Sequence, residues 1–122
     1  MSGKVLLDTN VIIYALNGGM RLPNVKYYTS IISEIELFSY AKLTEIESQN
    51  IKNLLSYFEI LNISDEVKIK TIEIRKKYGI KLPDSMICST AISNNLTLIS
   101  NDKQLSKILE LDILSLEEFM NE

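Results

Sequence analysis

The residues of this sequence best suited to chemistry are four carboxylates: Asp8, Glu36, Asp84 and Asp102. Each stands where an apolar run gives way to a helical pattern, or near a helix start. Asp8 follows Val5-Leu6-Leu7, and Asp102 follows Leu98-Ile99-Ser100-Asn101. Glu36 lies in Ser33-Glu34-Ile35-Glu36-Leu37, and Asp84 in Leu82-Pro83-Asp84-Ser85. Singly, each has a plainer reading. Asp8 and Asp102 fit helix N-caps. Glu36 stands three residues after Ser33, which is capping-box spacing, and Asp84 suits the positive end of a helix. Glu34 competes with Glu36; if Ile32 and Ile35 face the core, Glu36 lies beside them and Glu34 points elsewhere. Taken together, caps explain the four less well, because caps need not converge and are equally made by Ser, Thr or Asn.

Converging carboxylates have a definite requirement. Two unit charges about 4 Å apart repel by roughly 4 kcal/mol at an effective dielectric near 20. Protonation or a bound divalent cation relieves that cost. Oxygen-only ligands favour Mg²⁺ or Mn²⁺ over zinc, and such an ion orients a phosphodiester and activates water without imidazole. The composition leaves few other routes. The chain has no His, which excludes a Ser-His-Asp triad, a Cys-His dyad and an HExxH zinc site. The single Cys excludes an intrachain disulfide and a CxxC pair. Gly3, Gly18, Gly19 and Gly79 make no phosphate-binding glycine loop. Asn10 stands where a haloacid-dehalogenase-type site wants a second Asp.

The elements that must position these groups are legible from periodicity. Strands are expected at Lys4 to Leu7, Val25 to Thr29, Glu59 to Asn62, Thr97 to Ile99 and Asp112 to Leu114. Helices are expected from Thr9 to Leu16, closed by Asn17-Gly18-Gly19, from Ser33 to Tyr40, and from Thr44 to Tyr57 with Thr44 and Glu47 as a capping box. A helix capped by Ser64 ends at Gly79, and an almost uncharged, buried one opens at Pro83-Asp84 and runs to about Asn94. Short helices follow Asn101-Asp102 and Ser115. Strands that alternate with helices and are apolar on both faces predict an α/β fold with a five-stranded, mostly parallel sheet flanked by helices. At 122 residues, 46% apolar and 24% charged, one domain over 1–122 is expected. Ligands of such sheets bind beyond the carboxyl ends of the strands, where several of the four carboxylates lie.

The sequence shows no membrane span and no signal peptide, so it reads as a cytoplasmic chain with one reduced, buried and inert thiol, Cys88. Sixteen acids against thirteen bases give a net charge of −3, which offers no overall attraction for a polyanion. The bases are unevenly spread: Lys68, Lys70, Arg75, Lys76, Lys77 and Lys81 face a single acid, Glu73, in one stretch. A solvated helix face is the ordinary explanation; phosphate contact by Arg75, Lys76, Lys77 and Lys81 is the functional one.

Leu6-Leu7-Asp8-Thr9-Asn10-Val11-Ile12, Ser30-Ile31-Ile32-Ser33-Glu34-Ile35-Glu36-Leu37, Leu82-Pro83-Asp84-Ser85-Met86-Ile87 and Leu98-Ile99-Ser100-Asn101-Asp102-Lys103 resemble, in order and spacing, the PIN-domain nucleases, and among them the small VapC-type toxins. The resemblance implies Mg²⁺- or Mn²⁺-dependent cleavage of RNA, with Asp8, Glu36, Asp84 and Asp102 as metal-binding and catalytic carboxylates. It gives Asn10 and Ser100 supporting roles. It also implies a homodimer and a cognate antitoxin. Phe38, Tyr40 and Leu43 would extend an apolar groove for a partner helix, though ordinary core packing is the stronger explanation of these residues. Gln104 and Leu105 stand where many relatives carry a further acid and an aromatic. A catalytically silent PIN-like module that binds RNA or protein is the alternative; its usual mark is loss of acidic positions, and none is lost here.

Overall fold

The computed structural model describes residues 3–18 and 21–122. Five parallel strands, β1 (Lys4–Leu7), β2 (Lys26–Ser30), β3 (Phe58–Leu61), β4 (Thr97–Ile99) and β5 (Ile113–Leu114), form one sheet in the order β3-β2-β1-β4-β5. β1 is central. Leu6 pairs with Tyr28 of β2 on one side and with Leu98 of β4 on the other. The chain winds outward from β1 through β2 to β3, then returns to β4, so the winding reverses between β1 and β4. That reversal opens a crevice at the carboxyl ends of the two strands.

The period-2 alternation of the strands divides the core between two faces. Leu6, Tyr28 and Leu98 pack on one side with α4 (Asp65–Tyr78), α5 (Leu82–Ser93) and the 3₁₀ turn at Lys103–Lys107, through Ile74, Ile87, Ala91 and Leu105. Val5, Leu7 and Ile99 pack on the other with α1 (Thr9–Gly18), α3 (Glu45–Leu55) and α6 (Leu116–Met120), through Val11, Ile12, Ile51 and Phe119. The strands are thus covered on both sides, which is why they read as continuous apolar runs.

Caps set most helix limits as expected. Thr44 and Glu47 close a capping box on α3, and Ser115 and Glu118 close another on α6. Ser64 caps α4, and Gly79, at φ 68°, ends it in a left-handed conformation that glycine adopts without strain. α2 (Ile31–Phe38) differs from expectation. Its N-cap is Ser30, the last residue of β2, whose Oγ accepts from the Ile32 N–H at 3.0 Å. The strand therefore turns into the helix without a loop, and Ser33 lies inside it. This removes the capping-box reading of Glu36. Ile32 packs on the core, but Ile35 is exposed rather than buried. Of the expected Asn17-Gly18-Gly19 terminus, Gly19 lies outside the described residues. Among the described residues no helix is long and apolar enough to cross a membrane.

Candidate active site

Asp8 is the first residue beyond β1. Its N–H continues the ladder to the Ile99 carbonyl at 3.0 Å, and its carbonyl accepts the first bond of α1, from Ile12 N–H at 3.1 Å. The side chain is 7% exposed at the floor of the crevice. Oδ1 accepts from the Thr9 N–H at 2.8 Å, and Oδ2 accepts from the Ser100 hydroxyl at 2.7 Å. Two donors fix the plane of this carboxylate and leave its remaining lone pairs for a ligand.

Ser100, the residue after β4, joins this strand exit to the next. Its Oγ also accepts from the Asp102 N–H at 3.1 Å. Asp102 caps the 3₁₀ turn, with Oδ1 accepting from the Gln104 N–H at 3.0 Å. Asn101 is occupied elsewhere, its Oδ1 accepting from the N–H of Leu116 at 2.9 Å.

Glu36 reaches the crevice from α2. The Thr9 hydroxyl oxygen lies 2.7 Å from Glu36 Oε1 and 2.7 Å from Ser33 Oγ. A hydroxyl has one proton and an ionised carboxylate only accepts, so Thr9 donates to Glu36 and Ser33 supplies the complementary hydrogen. Thr9 and Ser33 are both buried. The sequence marks Ser33 only as a cap and Thr9 only as the start of a helix. Their contact spans 24 positions, and nothing local signals it.

Asp84 enters from the first turn of α5, half-buried and without a hydrogen-bond partner among the described residues. Burial pushes its pKa up, as do the charges of Asp8 and Asp102, while Lys81 pulls it down. Asp8 is also pushed up, first by burial and then by Glu36 and Asp102, against the opposing bonds from Ser100 and Thr9. The four carboxylates therefore share one electrostatic neighbourhood, with Asp8 at its centre. Behind it, Cys88 is fully buried, and its thiol is pushed up to about 12 by burial and by Asp8, Asp84 and Asp102. It is no nucleophile.

The remaining expected residues lie further out. Asn10 is exposed on α1, and it makes no hydrogen bond to Asp8. Arg75, Lys76 and Lys77 are exposed on the last turn of α4, where the Lys77 ammonium lies 3.8 Å from Glu110 Oε1. A groove of about 500 Å³ runs between α1, α2 and α3, lined by Ile13, Leu16, Leu37, Tyr40, Leu43 and Ile51, with Glu36 at its edge. Phe38 packs on the core instead.

The donor set is all oxygen and acidic, which fits a small hard cation. Among the described residues no three Asp, Glu or Cys side chains close on one point. An ion here would take one or two carboxylates and complete its shell with water, as magnesium-like ions do.

Comparison with known proteins agrees with this geometry. The sequence pattern of the PIN domain matches residues 5–111. VapBC2 from Rickettsia felis, solved bound to a DNA fragment from its promoter, is 26% identical, with a TM-score of 0.80, over 92% of this chain and 98% of its own. A toxin-antitoxin complex from Klebsiella pneumoniae is 28% identical over 91% and 96%, with a TM-score of 0.75. VapBC-1 from nontypeable Haemophilus influenzae is 25% identical over 92% and 97%, with a TM-score of 0.76. A comparison with curated proteins finds no match. The chain belongs to the PIN-domain family, and the members it resembles are the VapC-type toxins.

Proposed function

We propose that this chain is an endoribonuclease, dependent on Mg²⁺ or Mn²⁺, and the toxin of a toxin–antitoxin pair. The observation that carries the reading is the shared electrostatic neighbourhood of Asp8, Glu36, Asp84 and Asp102 at the β1/β4 crevice. Burial first, and neighbouring carboxylates second, raise the pKa of Asp8 and Asp84, which weakens the fold unless a cation uses them. Asp8 and Asp84 are the first candidates to hold the ion, with Glu36 and Asp102 completing the acidic rim. When bound, the ion supplies a Lewis acid for a phosphodiester. The protein's own part is orientation. Ser100 and the Thr9 N–H fix Asp8, and the Thr9 hydroxyl fixes Glu36. Asn10 is exposed two residues after Asp8 and supports it by no direct hydrogen bond. Lys81, whose charge is felt at Asp84, is the base placed to meet an RNA phosphate, with Arg75, Lys76 and Lys77 further along α4.

The further parts of the reading follow the kinship. The chain acts as a single domain over 1–122, in the cytoplasm, as a homodimer. A cognate antitoxin binds along the apolar groove that ends at Glu36.

The test is cleavage of RNA by the purified protein with Mg²⁺ or Mn²⁺, with chelator and with Asp8→Asn. Cleavage that needs the ion and is lost in Asp8→Asn is expected. Cleavage that ignores chelator, or survives Asp8→Asn, rejects the carboxylate–metal mechanism. RNA binding without cleavage returns the protein to the class of catalytically silent PIN-like modules. Growth arrest on expression, relieved by Asp8→Asn, tests the toxin role separately.

A further inference from the structure

The acidic crevice does not end at Asp102. Ser100 and Asp102 also line a second hollow of about 400 Å³, which opens past the carboxyl ends of β4 and β5. That is room enough for a small ligand. Half-buried Ile113 lines it too, as does Lys103, exposed at the start of the 3₁₀ turn and without an ion-pair partner among the described residues. Two further side chains there are tied to consecutive backbone N–H groups. Glu118 Oε1 accepts from the Ser115 N–H at 2.9 Å, and Asn101 Oδ1 accepts from the Leu116 N–H at 2.9 Å. Each bond serves the start of α6, but together they set a carboxylate and an amide side by side at the hollow. Glu118 keeps Oε2 and the second lone pair of Oε1 as acceptors, and Asn101 keeps its two amide hydrogens as donors. Among the described residues nothing else bonds to these two side chains.

A donor beside a pair of acceptors complements one nucleobase edge. Guanine offers an acceptor, O6, followed by two donors, N1–H and N2–H. We propose that this hollow binds the base of a guanosine next to the cleaved phosphodiester, with Asn101 donating to O6 and Glu118 accepting from N1–H and N2–H. Unpaired RNA bases are recognised in this way, on their Watson–Crick edges. Only guanine carries two donors side by side on that edge, so the carboxylate gains two bonds from it and one from adenine, cytosine or uracil. Ile113 gives the base an apolar contact, and Lys103 meets a phosphate of the same nucleotide. The shared wall supplies the register: a strand whose phosphodiester lies at Asp8 and Asp84 passes Ser100 and Asp102 to reach the hollow. This inference rests on the ribonuclease reading given above and adds a base preference to it.

Short RNA oligomers test it, identical but for guanosine, inosine or adenosine at one position on either side of the cleavage point. Single-turnover rates are read with Mg²⁺ or Mn²⁺. On one side guanosine is expected to be cleaved at least about tenfold faster than adenosine, since a hydrogen bond to a charged group is at stake. Inosine, which keeps O6 and N1–H but lacks the N2 amino group, is expected to be cleaved about tenfold slower than guanosine. Glu118→Gln keeps an acceptor for the Ser115 N–H, and circular dichroism verifies its folding. In that variant the guanosine-to-inosine ratio is expected to fall to about one, because the amide cannot accept both guanine donors. Inosine cleaved as fast as guanosine on both sides overturns the proposal and leaves the nuclease standing. A guanosine preference that survives Glu118→Gln does the same. If neither ion supports cleavage of any oligomer, the ribonuclease reading fails, and fluorescence anisotropy of the same labelled oligomers decides for the hollow. Tighter binding of guanosine than of inosine, lost in Glu118→Gln, then upholds it as a guanine site; equal binding overturns it as well.

Discussion

Asp8 and Asp102 both follow a parallel strand and head a helical turn, but Asp8 is the first residue past β1 and Asp102 the third past β4, and the fold treats them differently. Asp102 spends one oxygen on its own turn, capping the Gln104 N–H. Asp8 accepts only one local bond, from Thr9, and its second oxygen is held by Ser100 from a strand 92 positions away in sequence. The cause is distance from the strand end. The residue directly past each strand is buried, Asp8 at 7% and Ser100 at 4% exposed, whereas Asp102 stands two residues further out and is half-buried. A carboxylate three residues past its strand caps a turn; one directly past the central strand is buried, oriented from outside its own segment and electrostatically loaded. Ser100, donating to one Asp and accepting from the backbone of the other, joins the two.

The largest expected effect breaks this contrast outright. Asp8→Asn should lower ion-dependent RNA cleavage at least about 100-fold, whereas Asp102→Asn, which keeps a good cap, should lower it by about tenfold, as measured by single-turnover rates. Equal losses would mean that the two carboxylates act as one unit. Ser100→Ala cuts the joint: cleavage should fall about 10–100-fold and stability by about 1–3 kcal/mol in urea unfolding, because a buried carboxylate oxygen loses its donor. Thr9→Val leaves Asp8 its backbone donor and releases Glu36 and Ser33; a loss of about tenfold in rate and about 1 kcal/mol in stability is expected.

The smallest effect is read from pH. Asp8 and Asp84 ionise less readily in the fold than in an open chain, so their charges weaken the ion-free protein at neutral pH, and that penalty is relieved as pH falls through their raised values. Glu47 and Glu118 are lowered by their capping bonds, and their contribution is lost as pH falls through those lowered values. With chelator present, the melting temperature should hold or rise slightly from pH 7 toward 5 and decline below about pH 4. A steady decline between pH 7 and 5 contradicts the raised values.

The sheet and its helices were readable because their signals are local: the unbroken apolar run Val5-Leu6-Leu7, the capping pairs Thr44/Glu47 and Ser115/Glu118, and the glycine stop at Gly79. Asp8, Asp84 and Asp102 stand out in the sequence because they follow a strand or open a helix; Glu36 lies inside α2, later in the helix than its sequence suggests. What holds the four was not readable. Ser33 had the spacing of a cap, but β2 runs straight into α2 and gives that task to Ser30. Ser33 is thereby left free to face Thr9. Asn10, adjacent in sequence to the right place, is exposed, while the buried hydroxyl one position earlier binds Glu36. Side-chain partners separated by 24 to 92 positions leave no periodic trace in the chain.

Cys88 gives the domain a built-in clock. It is the only thiol, it is fully buried on α5, and its reluctance to ionise protects it further from alkylation. A thiol reagent can reach it only after α5 has left the core, and the same helix carries Asp84 in its first turn. The labelling rate of the native protein therefore times the opening of one wall of the acidic crevice. Labelling at the global unfolding rate would mean that the wall and the sheet come apart together; faster labelling would make α5 a separate unit of opening, able to dismantle the carboxylate cluster while the strands stay paired.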